Sequence, residues 1–159
     1  MAPAWTAMPR DLVVTVMGTP APQGSKRHVG GGRMVEQSPR LAPWRALVTQ
    51  AAGVRIALTE WHPDPRAPLA LGVTFTVARP ASHWRTGKHS HELRPTAPEH
   101  PTSRPDIDKL IRAVMDGLAD AGAMTDDARV ISVSALKAYP GSTLDALDSP
   151  GCVLRLWEW

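Results

Sequence analysis

The chain has 159 residues, enough for one domain with its own core and too few for two independent ones. Its 18 Lys plus Arg and 15 Asp plus Glu give a net charge of +3, which permits a nucleic-acid partner without requiring one. The lone cysteine, Cys152, excludes an internal disulfide framework and a zinc site built from thiolates. No apolar run approaches the roughly 18 residues that a membrane span requires, so we expect a cytoplasmic protein with no membrane partner.

The first half of the chain predicts two strands and a helix after an N-terminal tail of residues 1–10. Residues 12–17, LVVTVM, are apolar and β-branched, which predicts a strand ending at a glycine and two prolines. The following loop can form a small hairpin across its three glycines, residues 30–32. Ser38 and Pro39 predict the N-cap and first position of a helix that runs to about Leu58, because apolar residues recur there at helical spacing. Residues 69–79, LALGVTFTVAR, alternate as a half-buried strand does.

The second half of the chain predicts a long loop, a helix and two strands. Residues 79–105 carry prolines, histidines and basic residues without apolar periodicity, which predicts an exposed basic loop. Residues 107–118 then place Ile, Leu, Val and Met along one stripe of a helix. RVISVSALKAY and CVLRLWEW read as strands. Because no regular strand–helix–strand repeat occurs, we predict an α+β domain over residues 11–159, with a small mixed sheet against two main helices.

The segment RPDIDKLIR, residues 104–112, places two aspartates two residues apart at the start of that helix. Inside a regular helix, Asp106 and Asp108 would point about 200° apart and could not face one ion together. Pro105 biases the residue before it towards an extended conformation, so we expect the pair to straddle the start of the helix. Two carboxylates can converge there, and the positive end of the helix dipole favours their charge.

A second acidic pair, Asp126 and Asp127, lies in the turn between the helix and the next strand. If the helix and that strand pack antiparallel, this turn is at the far end of the helix from Asp108. Bringing Asp127 to the first pair then requires a neighbouring strand, a bent path or a second subunit. The sequence alone leaves these three alternatives open.

Converging carboxylates are ligands for a hard cation such as Mg²⁺, which next to a phosphodiester can activate water and stabilise the leaving oxygen. Arg112, one turn after Asp108, is placed to contact a phosphate held there. The alternative is structural. Asp106 or Asp108 can N-cap the helix, Asp108 can pair with Arg112, and Asp126 and Asp127 are common turn residues.

The string PDIDKLIRAVMDGLADAGAMTDDARV resembles the signature of the RusA family of Holliday junction resolvases. In that family an Asp-x-Asp-Asn-Leu segment leads into a helix with a lysine one turn on, followed by Asp-Ala-Leu and a paired aspartate before a strand. APQGSKR at 21–27 and ARPASH at 78–83 are similar to further family segments, and the resemblance covers roughly residues 12–140. It implies a RusA-like fold and a homodimer that uses Mg²⁺, with Mn²⁺ as a possible substitute, to make paired nicks in four-way DNA junctions during recombination and repair.

The resemblance also implies roles for individual residues. Asp106, Asp108 and Asp127 would be the catalytic metal ligands, with Asp126 beside them. Lys109 stands where the family has asparagine, and Arg112 where it has the catalytic lysine, so the activity could be reduced or differently tuned. The DNA-binding candidates are Lys26, Arg27, Arg79, Arg85, Lys88, Arg104 and Lys109. Two other functions stay open: a general flap or fork nuclease, and a junction-binding protein with weakened catalysis.

Overall fold

A computed structural model describes residues 11–24, 26–36 and 38–159, so the predicted N-terminal tail lies outside the described residues. It contains a four-stranded mixed sheet, a two-stranded hairpin and two main helices, which confirms the predicted α+β class. The strands are β1 (Leu12–Met17), β2 (Lys26–His28), β3 (Met34–Glu36), β4 (Leu69–Thr76), β5 (Val130–Ala138) and β6 (Gly151–Glu158); the helices are α1 (Leu41–Thr59) and α2 (Ile107–Asp120). The predicted hairpin across the glycines is the β2–β3 pair.

The order of strands in the main sheet explains the path of the chain. The order is β1-β6-β4-β5, with β4 and β5 parallel and the other neighbours antiparallel. Parallel strands need a crossover connection, and α2 lies in the connection between β4 and β5. Helix α2 therefore begins near the carboxyl ends of these two strands and ends near the amino end of β5.

The core lies between one face of the sheet and the two helices. Leu12, Val14 and Val16 of β1 alternate with more exposed residues, and the register pairs them with Leu156, Leu154 and Cys152 of β6. This alternation is typical of a sheet with one face in the core. The apolar stripe of α2 supplies Leu110, Val114 and Leu118, all fully buried, as the sequence predicted. Helix α2 is thereby held against the sheet while its first turn remains at the surface.

The start of α1 differs from the prediction by two residues. Its first helical residue is Leu41 and its N-cap is Arg40, whereas Ser38 and Pro39 lie in the preceding turn. The backbone carbonyl of Ser38 accepts a hydrogen bond from the Leu41 amide at 3.3 Å. The sequence signal for a helix start therefore marks the turn before α1, because Pro39 suits either position.

The segment 79–105 is largely exposed, as predicted, but it has internal structure. It contains two short 3₁₀ turns, Ala81–His83 and Gly87–His89, and an isolated bridge between Trp84 and Leu93. The Arg85 amide donates to the Glu92 carbonyl and the Arg94 amide to the His83 carbonyl, each at 2.9 Å. The middle of the loop is thus a compact hairpin-like arm held by its own hydrogen bonds.

The close contact between α1 and α2 at Gly117 gives a prediction about stability. A methyl group at residue 117 would lie 2.7 Å from Cγ1 of Val48. We expect Gly117→Ala to lower the free energy of unfolding by about 1–3 kcal/mol, because this overlap outweighs the gain in helix propensity. Urea unfolding measures the change. The control is Gly53→Ala in α1, where the added methyl meets open space and should stabilise by about 0.5–1 kcal/mol. Equal shifts in both variants would contradict the packing explanation.

Candidate active site

The aspartate pair straddles the start of α2, as the sequence predicted. Asp106 is the N-cap residue with an extended backbone, φ −72° and ψ 135°, and Asp108 lies in the first helical turn. Both side chains are exposed. Asp106 occupies the N-cap position without a capping hydrogen bond from its side chain. Among the residues that the structure describes, no ion pair joins Asp108 to Arg112. Two of the structural roles considered above, a side-chain N-cap by Asp106 and an ion pair between Asp108 and Arg112, are therefore not observed. Both carboxylates face solvent.

Two other segments hold the backbone around this pair. Lys137, near the end of β5, donates from Nζ to the carbonyls of Ser103 and Pro105 at 2.8 and 2.9 Å. The Gln23 amide in the loop after β1 donates to the Lys109 carbonyl at 3.0 Å. Because these contacts join distant parts of the chain, they hold the approach to Asp106 against the sheet. The sequence analysis missed Lys137, and its only signal was a basic residue near the end of a strand that has no other charged residue.

Lys109 forms an ion pair with the first aspartate of the pair. Its Nζ lies 3.0 Å from Oδ2 of Asp106, one helical turn away. The hydrogen bond and the positive charge of Lys109 lower the pKa of Asp106 below its usual value. Asp106 is therefore anionic at neutral pH, with an ammonium group already beside it. A residue expected to contact DNA thus contacts a candidate metal ligand in this structure.

A cavity of about 500 Å³ opens beside Asp106 and Lys109. Arg104 also lines it, as do Arg40 and Tyr139, which the sequence analysis did not single out. Arg40 comes from the N-cap of α1 and Tyr139 from the residue after β5. Three cationic side chains therefore border the same cavity as a candidate metal ligand. No sequence pattern indicated that Arg40 lies near the site, because its position at the cavity depends on the packing of α1 beside the first loop.

The second acidic pair lies at the other end of β5. Asp127 begins a 3₁₀ turn directly before β5, whereas Lys137, at the end of β5, contacts the approach to Asp106. The 14-residue helix α2, about 21 Å long, lies between Asp106 and the turn that holds Asp127. Asp126 accepts a hydrogen bond from the Ala128 amide at 2.9 Å, which is the turn role that the structural alternative gave it. A single chain does not bring the two acidic pairs together.

The basic candidates are dispersed around the site, and several have partners within the chain. Arg79 donates to the Pro98 carbonyl at 2.9 Å and lies over the ring of Tyr139 at 4.0 Å. Arg85 pairs with Glu92 at 2.6 Å. Arg112 and Lys88 are exposed. The side chains of Lys26 and Arg27 lie outside what the structure describes, although their backbones form β2. Among the predicted DNA-binding residues whose side chains the structure describes, Arg104 and Lys109 border the cavity at Asp106.

The donor chemistry at the start of α2 fits a hard divalent cation in part. Asp106 and Asp108 provide exposed carboxylate oxygens, the ligand type that Mg²⁺ prefers. Within the described ranges, however, no group of three or more His, Cys, Asp or Glu side chains is arranged to hold a metal ion. A metal bound at this pair would therefore take its remaining ligands from water, from a phosphate or from a second chain.

Comparison with protein families identifies the class of the protein. A family model described as Endodeoxyribonuclease RusA matches residues 17–144, which is most of the chain. The class is thus an endodeoxyribonuclease, an enzyme that hydrolyses phosphodiester bonds within DNA. The chain belongs to the RusA family, as the string from Pro105 to Val130 indicated. A search of curated proteins found no match to this chain. Among the described residues, no helix is long and apolar enough to cross a membrane.

Proposed function

We propose that this protein is a Mg²⁺-dependent endonuclease that resolves four-way DNA junctions by paired symmetric nicks, acting in the cytoplasm. The observation that carries the proposal is the pair of exposed carboxylates, Asp106 and Asp108, at the start of α2 in a chain of the RusA family. Exposed carboxylates in a basic protein need a positive partner when a DNA phosphate approaches them. A divalent cation supplies that charge and joins the carboxylates to the phosphate.

In this proposal Asp106 and Asp108 hold the ion, which when bound would activate a water molecule and stabilise charge on the phosphate. The neighbouring cations position the DNA. Arg104 and Arg40 border the cavity and can neutralise phosphates that flank the cleaved bond. Arg112 is exposed one turn after Asp108 and can stabilise developing negative charge, although a guanidinium does not readily release a proton.

We propose further that the enzyme is a homodimer formed through β5. This strand is at one edge of the sheet, so its outer side has no neighbouring strand in the described part of the chain. Ile131, Val133 and Leu136 on it are 60%, 43% and 46% exposed. An edge strand with exposed apolar side chains favours pairing with another strand. Symmetric cleavage also needs two sites related by a twofold axis, and a twofold pair of β5 strands provides one.

Antiparallel pairing of two β5 strands would complete the acidic site. In a twofold pair centred on Ser134, Val130 of one copy lies opposite Ala138 of the other. The turn that holds Asp127 then approaches the end of the other copy's β5, where Lys137 contacts the segment before Asp106. Asp127 would thus be supplied in trans, which is one of the alternatives that the sequence left open. Asp126, already bonded to the Ala128 amide, would hold this turn in shape.

The decisive experiment compares cleavage of a synthetic four-way junction, a flap and a fork, with Mg²⁺, with Mn²⁺ and with chelator. Paired nicks in the junction that require the metal would support resolution. Equal cutting of all three substrates would favour a general flap or fork nuclease, an activity that the same exposed carboxylates can support. Tight binding to the junction without nicks in either metal would favour the junction-binding protein, because Lys109 and Arg112 depart from the family pattern.

The ion pair between Lys109 and Asp106 predicts weakened metal binding in the absence of DNA. An incoming cation has to displace the ammonium group that lies 3.0 Å from Oδ2 of Asp106. We expect Lys109→Asn to raise the affinity for Mn²⁺ about twofold to fivefold, the scale of an exposed ion pair. Isothermal titration calorimetry without DNA measures this, with Lys88→Asn as a matched loss of one exposed lysine charge. Unchanged or weaker Mn²⁺ binding by Lys109→Asn alone would contradict the prediction.

A further inference from the structure

The cavity beside Asp106 has two chemically different parts. One part is apolar and is formed by proline rings, which have no amide hydrogen to donate: Pro20, Pro22, Pro80, Pro101 and Pro105. The other part is charged and carries Arg40, Arg104, Lys109 and Asp106. Its volume of about 500 Å³ is within the range of pockets that bind small molecules or parts of larger ones. The cavity therefore suits a ligand with an apolar, flat portion joined to an anionic one.

The apolar part is formed before any ligand arrives. Tyr139 on its wall is only 2% exposed. The guanidinium of Arg79 lies 4.0 Å from the centre of the Tyr139 ring, and the His83 ring lies 5.6 Å away between centroids in an edge-to-face arrangement. Arg79 in turn donates to the Pro98 carbonyl. Proline rings have a restricted backbone and add to this rigidity. A preformed pocket binds without the cost of ordering its walls.

The position of the cavity indicates which ligand it takes. Asp106 is both a wall of the cavity and a carboxylate that we propose to bind the metal at the cleaved phosphate. A group inside the cavity would therefore belong to the nucleotide next to that phosphate. A base within a duplex cannot enter, because it is paired and stacked on both sides. A base at a branch point has lost part of its stacking, so its removal from the helix costs less.

We propose that this cavity receives an unstacked nucleobase from the nucleotide adjacent to the cleaved phosphate. The inference rests on the proposed function, since it takes the Asp106 pair as the cleavage site. Prolyl rings contact the faces of the base, and the cations at Arg40, Arg104 and Lys109 hold its phosphates. Thr19 and Ser103 also line the cavity and can hydrogen-bond the edge of the base. Discrimination among bases at this position follows from that contact.

The test places 2-aminopurine in turn at each nucleotide beside the branch point of a four-way junction and measures its fluorescence, so that the probe position does not depend on a nick. Asp108→Asn protein prevents cleavage during the measurement. We expect binding to raise the fluorescence at least about threefold, because the base leaves the stack. Ala78→Trp, which fills the cavity from an exposed position on its wall, should remove that rise. Ala46→Trp, on the exposed face of α1 away from the cavity, is the matched control and should keep it.

A second measurement changes the DNA instead of the protein. A junction with an abasic site at the same nucleotide should bind the unaltered cavity at least about fivefold more weakly, the lower end of the scale for one lost base contact. Ala78→Trp should bind the abasic and normal junctions equally. No fluorescence rise, or a rise that persists in Ala78→Trp, would overturn the pocket. Fluorescence that rises as expected in a protein that never cuts DNA would instead reject the proposed function and retain the pocket.

Discussion

Asp108→Asn should abolish cleavage of a four-way junction and leave binding to the junction intact. The substitution keeps the shape of the side chain and removes one of the two negative charges at the start of α2. Without that charge the metal would be held by Asp106, which is already paired with Lys109, and by Asp127 of the second copy. We expect cleavage to fall by about 10³-fold or more, the scale for loss of a charged group that acts in the transition state. Single-turnover cleavage with saturating protein measures it.

The matched control for this variant is Asp116→Asn, two turns further along α2. Asp116 lies 3.7 Å from Arg45 in a half-exposed ion pair, away from the start of the helix. Its loss should leave cleavage within about twofold, because an ion pair at the surface contributes little. Junction affinity measured in Ca²⁺ should be similar for all three proteins. If Asp108→Asn cuts as fast as the control, the carboxylate pair is not the cleavage site.

Mixed dimers of Asp108→Asn and Asp127→Asn should regain cleavage that neither variant has alone. If Asp127 acts in trans, one site of the mixed dimer loses both aspartates and the other keeps both. The intact site should nick one strand, giving about half of the wild-type nicking rate per mixed dimer without the paired second cut. If both aspartates acted within one chain, every site in the mixture would lack one of them. The separation of Asp127 from Asp106 along α2 and β5 is the reason to expect the first result.

The experiment requires exchange of subunits, which co-expression with two affinity tags provides. Val133→Pro is the interface control. The Ala138 carbonyl accepts from the Val77 amide beside β4, so by alternation the Val133 amide faces the outer side of β5, where intermolecular pairing would use it. We expect this variant to be monomeric by sedimentation and inactive, with its helical content retained. If the mixed dimers do not cleave the junction while the wild type does, the trans arrangement is refuted. A monomeric wild type that resolves junctions would refute the β5 interface as well.

Much of the fold could be predicted from the sequence because its signals are local. The stripe of Leu110, Val114 and Leu118 repeats at the helical period, and these residues are buried in α2. The run LVVTVM and the glycine-centred hairpin are also short-range patterns. The structure contains both, as strand β1 and as the β2–β3 hairpin. The placement of Asp106 and Asp108 across the start of α2 followed from Pro105 and the first residue of the apolar stripe. Where the pattern suited two structures, as with Ser38 and Pro39, the predicted boundary was early.

The sequence by itself therefore determined the class of fold, the family and the carboxylate pair. Tertiary structure decided which other residues meet that pair. Lys137 reaches Ser103 and Pro105 only because β5 lies beside β4, and Arg40 lines the cavity only because α1 begins beside the first loop. The same crossover separates Asp127 from Asp106, since α2 runs back along the sheet before β5 begins. Contacts between distant segments depend on strand order and packing, and no short-range pattern in the sequence encodes either one.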